Sequence, residues 1–153
     1  MIPMGGVLVK EEIYDTFMTG PEDSIEFFHG YTYSGHPLAA AAGVAALEVY
    51  EEEGLFQRAS ELAPILEAEL QTIKGSQYVI DIRNFGMLGA VELEPIDGKP
   101  TARALSVFRE CYSRGVLVRT TGDTVALCPP LIASEEQVKT MVQTVKESIA
   151  AID

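Results

Sequence analysis

Tyr78-Val79-Ile80-Asp81-Ile82-Arg83-Asn84-Phe85-Gly86 is where the hydrophobic period of this chain changes. Just before it, from Leu62 to Ile73, the apolar residues recur at helical spacing. From Tyr78 they alternate, as in a half-buried strand. Residues 78–83 read as a strand, Asn84-Phe85-Gly86 as a turn, and 87–94 as a second strand, clearest in Val91-Glu92-Leu93-Glu94. Further on, residues 102–114 read as a helix with Leu105, Phe108, Cys111 and Tyr112 on one face, stopped by Gly115. Residues 116–119 read as a strand, Thr120-Thr121-Gly122-Asp123 as a turn, and 124–128 as the return strand, closed by Pro129-Pro130. Ser134-Glu135-Glu136-Gln137 is a capping box. It opens a last helix that should bury Val138, Met141, Val142, Val145, Ile149 and Ile152. The order β-β-α-β-β-α over residues 75–153 predicts an α/β (α+β) sandwich, a small and mostly antiparallel sheet with helices on one face.

Toward the N-terminus, Leu62, Ile65, Leu66, Leu70 and Ile73 form the apolar stripe of a helix that runs to about residue 74. Pro64 either kinks that helix or marks a later start. Gly54 separates it from a long helix over 37–53, which is rich in alanine and opens on Pro37, a residue suited to a first helical position. Ahead of Pro37 lies Phe28-His29-Gly30-Tyr31-Thr32-Tyr33-Ser34-Gly35-His36, which holds both histidines of the chain. Two readings of this loop stand. The free N–H groups of the first turn, the helix dipole and the nearby hydroxyls could hold a phosphate at Tyr31-Thr32 and the turn after them. Alternatively the helix is merely capped, with an aromatic loop packed beside it. Gly6-Val7-Leu8-Val9 reads as a short buried strand, and residues 10–18 as a short helix with Ile13 and Phe17, then Tyr14 and Met18, as its inward candidates. A lone strand has no sheet to join, so the first 45 or so residues read as an incomplete part of something larger.

The chain has 153 residues, 47% of them hydrophobic and 22% charged, which predicts a packed core. Its net charge of −12 sets nucleic acid and anionic lipid aside as partners. The apolar run 37–49 is too short for a membrane span, and no signal peptide is visible. A cytoplasmic protein is the simplest expectation. Cys111 and Cys128 form no C-x-x-C pair and have apolar neighbours, so both are expected to be reduced and buried.

Few residues carry chemistry. Arg119 is expected to end the strand 116–119, where its guanidinium could grip a carboxylate bidentately; the alternative is a local pair with Asp123 across the turn. Arg83 reads as one member of a structural ion pair. His29 and His36 are seven residues apart with no third ligand nearby, so no metal site is expected. Tyr31 and Tyr33 could line a pocket or anchor the loop. Lys10, Lys74, Lys99, Lys139 and Lys146 all lack an apolar, pKa-lowering setting.

Pro3-Met4-Gly5-Gly6-Val7, then His29-Gly30-Tyr31-Thr32-Tyr33-Ser34-Gly35-His36-Pro37-Leu38-Ala39, then Val118-Arg119, Gly122-Asp123 and Pro129-Pro130, taken in order, resemble the C-terminal part of class III aminotransferases. These are pyridoxal-phosphate enzymes of fold type I, and the nearest likeness is to ω-amino-acid:pyruvate transaminases. The resemblance implies that residues 1–45 end the large cofactor-binding domain, 46–74 are connecting helices and 75–153 form the small C-terminal domain. It implies a homodimer in which Thr32, with Tyr31 beside it, binds the phosphate of the neighbouring subunit's pyridoxal 5′-phosphate through its hydroxyl and backbone N–H. It implies that Arg119 binds the carboxylate of the amino or keto acid and swings aside for bulky amines. The substrates would be a small-molecule amine and a keto acid such as pyruvate.

One departure qualifies this. The family's Schiff-base lysine lies shortly before the Pro-Met-Gly-Gly segment, where this chain offers only Met1-Ile2, and Lys10 falls on the wrong side of it. The aspartate that pairs with the pyridine nitrogen and the glycine-rich phosphate turn have no counterpart either. No catalytic residue is therefore assigned here, and the chain alone is expected to be inactive. The alternative is a stand-alone, non-catalytic binding or dimerisation module.

Overall fold

A computed structural model describes residues 2–23 and 30–152. The chain separates into two compact units, Met1–Glu52 and Glu53–Asp153.

The first unit holds two helices, α1 (Glu11–Phe17) and α2 (Pro37–Glu52). Neither buries a residue. The expected strand at residues 6–9 does not form: the segment has no strand assignment, and Val7 and Leu8 are 90% and 97% exposed. Its backbone groups find no neighbouring strand, and a strand without a ladder partner is not stable. Helix α1 forms where periodicity placed it, but Ile13, Tyr14, Phe17 and Met18 are exposed rather than inward. Helix α2 opens at Pro37, as that residue's missing N–H favours.

The second unit carries the core. Its elements are α3 (Leu55–Gln71), β1 (Val79–Phe85), β2 (Leu88–Leu93), α4 (Ala102–Ser113), β3 (Arg119–Thr121), β4 (Thr124–Leu127) and α5 (Glu135–Ala150). The four strands form one antiparallel sheet in the order β1-β2-β4-β3. Helix α3 lies against β1 and β2, α4 against β3 and β4, and α5 packs on both helices. Period-2 alternation turns Gly89, Val91 and Leu93 of β2, with Val125 and Leu127 of β4, toward the helices. They meet Leu66 and Leu70 of α3, Val107 of α4 and Val142 and Val145 of α5, all at most 1% exposed.

Gly89 is required by this packing. A Cβ there would lie 2.5 Å from Cδ1 of Leu70, so the missing side chain is what lets α3 approach the sheet. Pro64 sits inside α3, which runs on through it. The capping box is present in full: the Gln137 N–H donates to Ser134 Oγ at 3.1 Å, and the Ser134 N–H donates to Gln137 Oε1 at 2.8 Å.

Several expectations need correction. Strand β1 starts and ends later than the alternation suggested, and Gly86-Met87 makes the turn, with Phe85 opposite Leu88. Tyr78 falls outside the strand because its φ is +66°. Arg119 begins β3 instead of ending a strand over 116–119. The Val116 N–H donates to the Cys111 carbonyl at 2.9 Å, which ties that segment back to α4 and away from the ladder. The buried face of α4 carries Arg103, Ala104, Val107 and Cys111, while Leu105 and Tyr112 are exposed. Cys111 is buried as expected, but Cys128 is exposed, because it continues the outward side of β4 after Thr124 and Ala126.

Candidate functional site

Each unit places one of the residues on which function was expected to rest. In the first, a turn over residues 32–35 leads into α2. The Ser34 N–H donates to the Tyr31 carbonyl at 2.9 Å and the His36 N–H to the Tyr33 carbonyl at 3.2 Å. Gly35 adopts φ +66° between them, in the left-handed region that glycine enters without strain. The His36 carbonyl accepts from the Ala40 N–H at 2.9 Å, so His36 ends the loop and Pro37 starts the helix. A cavity of about 350 Å³ opens here, lined by Met4, Gly5, Thr32, Ser34 and Ala39 among others. Among the described residues, the hydroxyls of Thr32 and Ser34 and the first-turn N–H groups of Leu38 and Ala39 have no hydrogen-bond partner. Helix α2 has no acid in its first turn. Donors without acceptors at a helix N-terminus suit an anion. Tyr31 is 58% exposed beside Thr32, and the Tyr33 and His36 rings are 6.3 Å apart between centroids. His29 lies outside the described residues.

In the second unit the sheet face turned away from the helices carries the charge. Cross-strand pairing aligns Arg83, Ala90, Ala126 and Arg119 in one row over all four strands. The next row reads Asp81, Glu92, Thr124 and Thr121. At one end Arg83 is neutralised: Nη1 lies 2.6 Å from Asp81 Oδ2 and 2.7 Å from Glu92 Oε2. The hydrogen bond to Glu92, then that to Asp81, holds its pKa above the ordinary value. This is the structural ion pair the sequence suggested, on an exposed surface. At the other end Arg119 makes no hydrogen bond or ion pair among the described residues. The expected alternative, a pair with Asp123, is not formed: Ala126 stands opposite Arg119, and Asp123 lies in the turn, where its Oδ1 accepts the Thr101 N–H at 2.9 Å. Beside Arg119 is a cavity of about 670 Å³, lined by Leu88, Phe108, Leu117, Thr121, Ala126 and Cys128. A cation at the rim of an apolar hollow suits a small carboxylate with an apolar body.

Other polar residues here went unnoticed in the sequence. Arg103 is 8% exposed; its Nε donates to the Glu94 carbonyl at 2.7 Å and its guanidinium carbon sits 3.4 Å from the centre of the Tyr78 ring. Its spacing of four and eight residues from Val107 and Cys111 is the signal that places it on the buried face. Arg58 Nη2 donates to the Ala133 carbonyl at 2.6 Å and anchors the loop before α5. Burial pushes the Cys111 thiol pKa up. Among the described residues no cluster of three or more metal-ligating side chains occurs, and no helix is long and apolar enough to cross a membrane.

The chain belongs to the class-III aminotransferase family, whose pattern it matches over residues 2–149. It is 45% identical to an ω-aminotransferase of Caulobacter vibrioides over 152 residues, 99% of this chain and 35% of that protein. It is 43% identical to a β-alanine–pyruvate aminotransferase of Pseudomonas aeruginosa over 153 residues, 99% of this chain and 34% of that one. Among solved structures, a Bacillus anthracis aminotransferase aligns with a TM-score of 0.78 at 32% identity, covering 94% of this chain and 34% of its own. An ω-transaminase of Pseudomonas jessenii in complex with PMP aligns at 0.74 and 32%, covering 80% and 28%. The chain thus spans about a third of the length of these relatives.

Proposed function

We propose that this chain acts as the C-terminal part of a pyridoxal-phosphate-dependent ω-amino-acid:pyruvate aminotransferase, moving an amino group from an amine or ω-amino acid to a keto acid such as pyruvate. The observation that carries the proposal is the identity of 43–45% to two such enzymes across 99% of the chain. In this reading residues 1–45 end the cofactor domain, 46–74 connect, and 75–153 are the small domain. The enzyme is a cytoplasmic homodimer.

The donors at Thr32, Leu38 and Ala39 fit one side of a phosphate, and the described residues of that loop, 30–36, carry no carboxylate to pair with a pyridine nitrogen. Thr32, with Tyr31 beside it, would therefore hold only the phosphate of a cofactor whose ring is bound by other residues. When bound, pyridoxal phosphate supplies the electron sink for the amino-group transfer. Arg119 would bind and orient the substrate carboxylate through its planar fork of donors, with the substrate's apolar body against the hollow beside it.

No lysine of this chain occupies the place the resemblance requires. The isolated 153-residue chain is therefore proposed to be inactive: with pyridoxal phosphate it should give no absorption band of a lysine-bound cofactor and no transfer from β-alanine to pyruvate. Turnover by this chain alone would refute that.

A dimerisation module without catalysis is the second reading. It is favoured by the apolar residues the first unit leaves exposed, Val7, Leu8, Leu38 and Leu47 among them. An ordered, specific dimer of the isolated chain in sedimentation would support it, and a monomer would remove it.

A further inference from the structure

We propose that Met4 is a positioning residue for the phosphate cavity, seated on Gly43 of α2; the inference rests on the reading of Thr32 as a phosphate-binding residue. Residues 3–9 form neither helix nor strand, and among the described residues their backbone groups make no hydrogen bond. Side-chain packing is what remains to fix Pro3-Met4-Gly5. Met4 supplies it. A Cβ on Gly43 would lie 2.8 Å from Met4 Sδ and 3.4 Å from its Cε, so the thioether occupies the space that a side chain at 43 would need.

The exposure of α2 agrees with that contact. Ala39, Ala40 and Gly43 are half-buried, and every other residue of the helix is exposed. Their spacing places all three on one face. Ala39 and Ala40 line the cavity of about 350 Å³ together with Pro3, Met4, Gly5 and Thr32. Gly43, one turn after Ala39, receives the thioether. The same face of the helix therefore borders the cavity and seats the residue that anchors part of its lining.

A phosphate meeting the donors of Thr32, Leu38 and Ala39 would enter a cavity whose lining includes a segment without hydrogen bonds of its own. Met4 gives that segment a fixed place before the phosphate arrives. A lining already in place spares the ligand the cost of ordering it. Met4 is itself exposed, so truncating it breaks the contact without opening a hole in a core.

The test uses the 153-residue chain labelled with ¹⁵N, with inorganic phosphate as the probe. The dissociation constant is read from the Thr32, Leu38 and Ala39 amide shifts. Met4→Ala should weaken phosphate binding severalfold, and Met4→Leu, of similar volume, should recover most of it. Gly43→Ala separates positioning from helix stability. Alanine is the better helix former, so the α2 amides should exchange more slowly. Its methyl nevertheless displaces the thioether, and phosphate binding should again fall severalfold. Added to Met4→Ala, Gly43→Ala should weaken binding little further, because the contact it breaks is already gone. Unchanged phosphate binding in Met4→Ala, or in Gly43→Ala, overturns the positioning role and leaves the phosphate reading standing. A parent chain whose Thr32, Leu38 and Ala39 amides ignore phosphate overturns that reading and this inference with it.

Discussion

Replacing Gly89 by alanine tests the contact that sets the distance between α3 and the sheet. The new Cβ would stand 2.5 Å from Leu70 Cδ1 and 3.4 Å from Cδ2. Leu70 is fully buried, so its methyl groups have no open space to turn into. Overpacking of this kind costs about 1–3 kcal/mol. Against it stands the gain of about 0.5–1 kcal/mol from removing a flexible glycine from a strand. At mid-range, about 2 against about 0.75 kcal/mol, the balance is a loss of roughly 1 kcal/mol, which for a unit of this size lowers the melting temperature by about 4–8 °C. Circular dichroism melts of the parent and Gly89→Ala read this directly. The cause is isolated by a second change: Leu70→Ala alone should lose about 2–5 kcal/mol, but the double variant should lose less than the sum, since the alanine methyl at 89 enters the space the leucine left. A Gly89→Ala protein as stable as the parent, with strictly additive effects in the double variant, would refute the packing argument.

Ser134→Ala removes one half of the capping box of α5 and should lower stability by about 1 kcal/mol, read by urea unfolding, while Ser134→Asp should keep most of it. In the folded chain a thiol reagent should label Cys128 and spare Cys111, and in denaturant it should label both. Burial holds the folded Cys111 pKa above that of the unfolded chain, so the proton stays on longer in the folded state. That contribution is complete at neutral pH and is lost as pH rises above the ordinary thiol pKa of about 8.5. Melts taken across the alkaline range should fall more steeply for the parent than for Cys111→Ala.

The second unit was largely legible. Helices α3 and α5 announced themselves through apolar residues at helical spacing, and the Ser134–Gln137 capping box marked where α5 starts. Strands β1 and β2 showed in alternation. What failed did so for definite reasons. Val116-Leu117-Val118 looks like a strand, but local composition cannot report that the Val116 N–H is already taken by Cys111. Cys111 and Cys128 have equally apolar neighbours, and only the phase of β4 tells that one faces the helices and the other does not. Leu105 and Tyr112 share helical spacing with the residues that are buried, yet α4 is rotated so that Ala104 and Val107 face the sheet. At residues 6–9 the side chains suit a strand, and the missing ingredient is a neighbour. The candidate site divided in the same way. Arg119 stood out by type and position, while the capture of Asp123 by Thr101 depends on two residues 22 apart in the chain and on a backbone angle that no threonine advertises.

The central claim is that Arg119 grips the carboxylate of an amino-group donor or acceptor in a class III aminotransferase. It is tested most directly by steady-state transfer from β-alanine to pyruvate in the protein that carries this chain as its C-terminal part, comparing the parent with Arg119→Ala. Loss of a charged, bidentate contact of about 1.5–3 kcal/mol should raise the KM for pyruvate roughly 10- to 100-fold, with far less effect on an amine donor that has no carboxylate. A parent without transfer activity, or an Arg119→Ala enzyme with an unchanged KM for pyruvate, would contradict it.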